Sequence, residues 1–235
     1  MQEIRSEKPL IGADNNSLIA VVSINLILFV LIGFLKVVYY LSSIPIEQFY
    51  TQIVHPTILF SNWQILVHQP WSLFTYNWAH DGFWILLTNM IWLTAFGIVL
   101  QESNANKHLF PVYFYGGLFS GIVYCFLGSS TPLIGASSSV MAIAIAAIGL
   151  QPQYRLLKNI GRGIPLWVLG LCYMVLQGFS FIHMEWATML ASLIGAATGA
   201  LYILLLKKGI DLGKWMHQLL HLLNNSLAPK NNSSI

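Results

Sequence analysis

A serine hydroxyl attacks a carbonyl only when a neighbouring base takes its proton, and the oxyanion that forms needs donors to stabilise it. Ser137 raises that question in this chain. Gly135-Ala136-Ser137-Ser138-Ser139 stands near the start of an apolar stretch, Leu133 to Leu150, so its hydroxyls enter a segment suited to a membrane interior. Two more polar side chains, Asn89 and Ser192, stand in comparable apolar stretches. An amide such as Asn89 can donate to an oxyanion, but a second hydroxyl such as Ser192 is far too weak a base to activate the first. The candidate bases are the seven histidines, His55, His68, His80, His108, His183, His217 and His221.

The elements that carry these residues follow from composition. Of 235 residues, 56% are hydrophobic and 8% charged, with a mean hydropathy of +0.67; soluble domains carry roughly a quarter charged residues. The expectation is an all-α integral membrane protein in a lipid bilayer. Six uncharged apolar runs are legible: Leu18–Leu35, Phe83–Leu100, Leu109–Leu127, Leu133–Leu150, Ile164–Ile182 and Trp186–Leu206. Each approaches the ~20 residues a helix needs to cross ~30 Å of hydrocarbon. The ~10-residue alternating segments of a transmembrane barrel are absent, so six helices in one bundle are expected over residues 17–206.

Basic residues set the orientation, because Lys and Arg stay on the cytoplasmic side during insertion. Arg5, Lys8, Lys107, Arg155, Lys158, Arg162, Lys207, Lys208, Lys214 and Lys230 fall in the tails or in the loops after runs two and four, leaving Lys36 at the outer end of run one. Both termini, 1–16 and 207–235, are therefore expected in the cytoplasm, the second with an amphipathic helix over Leu212–Leu223. The first run follows a polar tail and has no small-residue cleavage site, so it reads as a retained span. The net charge of +3 reflects this bias and does not point to nucleic acid. Cys125 and Cys172 lie inside runs and read as small apolar filler. No cofactor is implied.

The connection 41–82 has no Lys or Arg and is rich in aromatic residues, among them Phe49, Tyr50, Trp63, Trp71, Phe74 and Trp78. Such rings tolerate the headgroup boundary, which suggests an outer loop lying partly in the membrane; a packed extracytoplasmic loop is the alternative. With ~1.5 Å per helical residue, Asn89 is placed about 9 Å, Ser137 about 6 Å and Ser192 about 9 Å below the outer face. One hydrated pocket at that level is one reading. The other is structural: small residues let helices approach, and Ser137, Ser138, Ser139 and Ser192 bond back to helix carbonyls. Gly195-x-x-x-Gly199 and Gly117-x-x-x-Gly121 supply flat faces for close packing.

Four stretches together resemble the rhomboid intramembrane serine proteases, over roughly residues 17–214. Gly135-Ala136-Ser137 resembles the nucleophile motif at the head of the fourth span. Ala191-Ser192 through Gly195 and Gly199 is similar to the sixth-span motif, and His80 through Asn89 to the second-span region; Trp71-Ser72 falls where the first loop commonly has Trp-Arg. The resemblance implies a six-transmembrane-helix rhomboid-like bundle, Ser137 at the nucleophile position, Asn89 at an oxyanion position and His80 in a structural role. It also implies two losses. Ser192 stands in place of the catalytic histidine, and Ile85 in place of the histidine that supports the oxyanion. Removing the base of such a unit costs on the order of 10⁶ in rate, and removing an oxyanion donor ~3 kcal/mol.

The other histidines offer no ready substitute. His217, His221 and His108 are expected at the cytoplasmic end, and the i, i+4 spacing of the first two fits the polar side of an interfacial helix better than half a zinc site. His55 and His68 belong to the outer loop. His183 precedes Ser192 by ~13 Å of helix. His80 is the remaining candidate.

The expected function is thus that of a catalytically impaired pseudoprotease that binds transmembrane segments of client proteins, in a bacterial inner membrane. An active serine-type endopeptidase using Ser137 is the alternative. A small transporter or channel is a third, for which the six runs supply no Asp, Glu, Lys or Arg.

Overall fold

The computed structural model describes residues 17–103, 105–156, 162–181 and 186–218, the side chains of 178–181 excepted. The expectations for both tails and for Lys158, His183 and His221 lie outside the described residues, except for the part of the second tail up to 218. Six long helices occupy the six apolar runs: α1 (Ser17–Leu41), α2 (Phe83–Glu102), α3 (Asn106–Tyr124), α4 (Ser137–Leu150), α5 (Leu166–Phe181) and α6 (Trp186–Lys207). Three of them, α1, α2 and α6, are long and apolar enough to cross a membrane by length and composition. The α3 helix runs continuously through Pro111, which has no N–H to give to the helix ladder. Between α4 and α5, Arg155–Leu156 pairs antiparallel with Ile164–Pro165.

The fourth apolar run does not become helical throughout. Leu133 is extended and exchanges backbone hydrogen bonds with Leu59 (3.0 and 2.7 Å), and α4 begins only at Ser137. The 6 Å depth derived from a helix starting at Leu133 is therefore replaced. At 14 residues, α4 is ~21 Å long, well short of a ~30 Å core. The outer loop fills the space above its start.

The centre of the bundle is α4, packed on α6, α3 and α2. Its flattest contact is with α6. A Cβ added at Gly195 would run into the Ser138 carbonyl, with the carbonyl carbon at 2.8 Å, and one at Gly199 into the Ala142 carbonyl, also with carbon at 2.8 Å. Two backbones thus touch directly, as small residues allow in a membrane where no hydrophobic force drives helices together. On the opposite side, Gly116 of α3 leaves room for Ala142, and Gly117 for Asn77 and Ser139.

Polar groups pin the loop to this core. The Ser139 hydroxyl lies 2.9 Å from Asn77 Oδ1 and 2.6 Å from the Tyr113 carbonyl; the Tyr113 hydroxyl donates to the Asn77 carbonyl at 3.1 Å. Tyr76 donates to the Gly117 carbonyl at 2.6 Å. Asn25 of α1 joins through Tyr113 at 3.2 Å. The loop itself is a chain of short helical turns, including Trp63–His68 and Ser72–Thr75. It buries Phe49, Leu59, Tyr76 and His80 while Trp63, Trp71 and Phe74 stay exposed. An inward packed side and an outward aromatic side coexist in one segment.

His80 belongs to the packed side. Its Nδ1 is 3.3 Å from the Trp78 carbonyl, which only accepts, so Nδ1 carries the proton and Nε2 is left a bare buried acceptor without a partner. Burial pushes its pKa down from 6.5 to about 4.

At the other end, Lys207 donates to the Gly149 carbonyl at 2.9 Å, and the His217 ring lies 2.6 Å from the Lys107 carbonyl. His108 contacts Tyr202 (3.0 Å) and Asp211 (3.6 Å) there.

Two outcomes follow from this packing. Gly195→Ala and Gly199→Ala should each destabilise by about 1–3 kcal/mol through overpacking, read as a lowered Tm in detergent. Gly33→Ala, whose Cβ would meet nothing within 4 Å, should not. For His80, the unfolded chain takes up a proton near pH 6.5 and the folded chain only near pH 4. Stability should therefore be full above pH 6.5, fall as pH drops through that window and level off below it. Thermal unfolding across pH should show the window in wild type and a smaller loss of stability across it in His80→Asn.

Candidate active site

The turn that leads into α4 positions Ser137. Gly135 has φ +99, a conformation open to glycine and strained for other residues, and its N–H donates to the Tyr76 carbonyl at 2.9 Å. Ala136 follows at φ −83, ψ 2, and Ser137 is the first helical residue. The Gly-x-Ser spacing is thus conformational: the glycine turns the chain, and the serine receives the positive end of the helix dipole and unsatisfied backbone N–H groups. From α5, the Tyr173 hydroxyl donates to the Ser137 carbonyl at 3.4 Å and accepts from Gln177 at 3.2 Å.

Ser137 and Ser192 line one cavity of about 70 Å³, together with Gln177, Thr188, Pro132, Leu133 and Ile134. That is room for about two waters at ~30 Å³ each. Ser137 is half-buried, whereas Ser192 and Thr188 are buried. The close seating of Gly195 on Ser138 brings Ser192 there, one turn earlier on α6.

Asn89 approaches from the other side. A Cβ on Gly135 would lie 3.7 Å from Asn89 Nδ2 and 3.8 Å from His80 Cδ2. Asn89 is buried, and its amide borders the turn just ahead of the serine. Ile85, one turn before Asn89, is instead 50% exposed. Ser138 is buried with its hydroxyl unpartnered, and Ser139 is committed to the Asn77–Tyr113 network.

Among the described residues, none that lines the Ser137–Ser192 cavity is titratable near neutral pH. His80 borders the Gly135 side and does not line it; His55, His68, His108 and His217 lie on other elements. Hydroxyls and an amide can exchange hydrogen bonds with a peptide group, but they cannot store the proton that an attacking serine must give up.

Gln177 and Thr188 escaped the sequence reading. The signal for Thr188 was present, since it precedes Ser192 by four residues and so shares its helix face. Gln177 was visible as an amide in the fifth apolar run.

Comparison with known proteins places this arrangement. A model of the Rhomboid domain matches residues 67–209, a segment that contains Asn89, Ser137, Thr188 and Ser192. The RHOMBOID-like protein 1 of Arabidopsis thaliana is 21% identical over an alignment covering 65% of this chain and 53% of that protein, so the chain spans about half the length of this curated relative. With more than half of its residues inside the matched segment, and with the polar centre inside it too, the chain belongs to the Rhomboid domain family.

Proposed function

We propose that this membrane-embedded rhomboid-like protein is a six-span pseudoprotease, with both termini cytoplasmic, that binds transmembrane segments of client proteins. The observation that carries the reading is the shared cavity of Ser137 and Ser192, whose lining among the described residues offers hydrogen bonds and no base. Ser192 occupies the place of the general base, and Ile85, half exposed on α2, holds no donor toward the Gly135 turn.

Client binding draws support from the sides of the bundle. The α2 and α5 helices meet through Trp92, Phe96 and Tyr173. The same two helices carry exposed apolar side chains, Trp84 and Ile85 on α2 and Val175 and Leu176 on α5. A transmembrane helix approaching laterally would meet these first and the hydroxyl-lined cavity behind them. The charge pattern supports an outward-facing loop with cytoplasmic termini, and a bacterial inner membrane is the location proposed with it. A retained protease is the second reading, favoured by Ser137 at the start of a helix and by Asn89 beside the Gly135 turn.

Purified full-length protein in lipid, given a transmembrane reporter, separates the two. Wild type should leave the reporter intact, and Ser192→His with Ile85→His should gain cleavage that Ser137→Ala in the same background abolishes; the cavity beside Ser192 provides space for the ring. Cleavage by wild type that Ser137→Ala removes would overturn the pseudoprotease reading. A photo-crosslinker at position 85 should capture a client helix in the absence of turnover.

A further inference from the structure

Hydroxyls inside a membrane helix ordinarily turn back onto a carbonyl of the same helix. Ser120 does so with the Gly116 carbonyl at 2.7 Å, and Thr198 with that of Ile194 at 2.8 Å. Ser137 and Ser192 do not: among the described residues, neither hydroxyl makes a hydrogen bond. Both line the cavity of about 70 Å³ at the start of α4, the end of α5 and the start of α6. Pro132, Ile134, Ser137 and Gln177 are half-buried and form its mouth, while Leu133, Thr188 and Ser192 are buried and form its floor. Ser192 is only 4% exposed, so bulk water does not serve its hydroxyl. An unpartnered hydroxyl in such surroundings forgoes its hydrogen bonds, and an occupant that brings both a donor and an acceptor restores them.

What a client transmembrane helix can offer narrows the occupant. Its backbone N–H and C=O groups are already paired along the helix, and a serine or threonine hydroxyl closes on its own helix carbonyl. A charged side chain would enter a site where, among the described residues, no lining side chain carries a charge. The half-charge at the start of α4 does not offset the burial of a whole one. A carboxamide is different. It carries two N–H donors and an oxygen with two lone pairs, more than its own helix satisfies. Its three heavy atoms also suit a space of about two waters at ~30 Å³ each.

We propose, on the client-binding reading given above, that the Ser137–Ser192 cavity selects clients by a carboxamide side chain, asparagine or glutamine, within the transmembrane segment. The carboxamide oxygen accepts from one hydroxyl and its N–H donates to the other. Gln177, whose Nε2 is given to Tyr173 at 3.2 Å, forms the α5 wall beside them. Because the cavity sits at the ends of three helices, the carboxamide belongs in the third of the client span nearest the outer loop and not at its middle.

Energy transfer in vesicles tests this, with full-length protein carrying a donor at its C-terminus and single-span Leu/Ala peptides carrying an acceptor. A peptide with one asparagine or glutamine in the third nearest the outer loop should associate roughly tenfold more tightly than its alanine counterpart. The same residue in the opposite third should give no gain. Ser137→Ala and Ser192→Ala should each cut the preference to about threefold. Each variant is read as the ratio of the two peptides, so a fall in that ratio reports the hydroxyl and not the fold. A serine peptide that matches asparagine, a preference independent of depth, or one that survives both substitutions together would overturn the inference. Peptide mass after each titration keeps this apart from the reading it rests on. Equal association of the asparagine and alanine peptides, both intact, would overturn the carboxamide preference and leave the pseudoprotease standing. Preferential association followed by cleavage would uphold the preference and overturn the pseudoprotease.

Discussion

The seating of α6 on α4 through Gly195 and Gly199 is the constraint on which the rest of the molecule depends. Two backbones in direct contact leave no side chain to adjust, so the axial register of the two helices is fixed by the Ser138 and Ala142 carbonyls. Ser192 is carried to the level of Ser137 by that register, and Thr188 one turn further. Because α4 also packs on α2 and α3, the same contact sets the height at which Asn89 meets the Gly135 turn. A bilayer supplies little drive to bring helices together, which makes such flat glycine faces and the buried Ser139–Asn77–Tyr113 bonds the main sources of order.

Much of this was legible in the sequence because a membrane imposes a simple code. Uncharged runs of about twenty residues marked the six helices, and the small-x-x-x-small spacing of Gly195 and Gly199 marked the closest contact. The limits of α4 were not legible. Leu133 and Ile134 are as apolar as the helix that follows, and only the backbone bridge from Leu133 to Leu59, with the left-handed turn at Gly135, shows that they are extended. Hydropathy reports that a segment avoids water and is silent on whether loop or helix fills the space. The outer loop illustrates the same limit, since its aromatic content did not reveal which rings would be buried, such as Phe49 and Tyr76, and which exposed, such as Trp63 and Trp71.

The centre was legible in its members and not in its lining. Ser137, Ser192 and Asn89 stood out as polar residues at similar depth. Gln177 joined them through Tyr173, an interhelical link that no local pattern encodes. Ile85 was recognisable as a missing donor, while its exposure on α2 depends on how that helix is rotated in the bundle.

A helix start, an amide beside the turn and a serine in a small cavity are parts that acyl-transfer chemistry uses; among the described residues the cavity lining adds no proton acceptor. Serine without a base is inert toward reagents that trap activated serines. Intact-mass analysis of the full-length protein in lipid after exposure to a fluorophosphonate probe measures that property directly at Ser137. The expected result is an unmodified chain in wild type. A single phosphonyl adduct mapped to Ser137, absent in Ser137→Ala, would show an activated nucleophile and contradict the account.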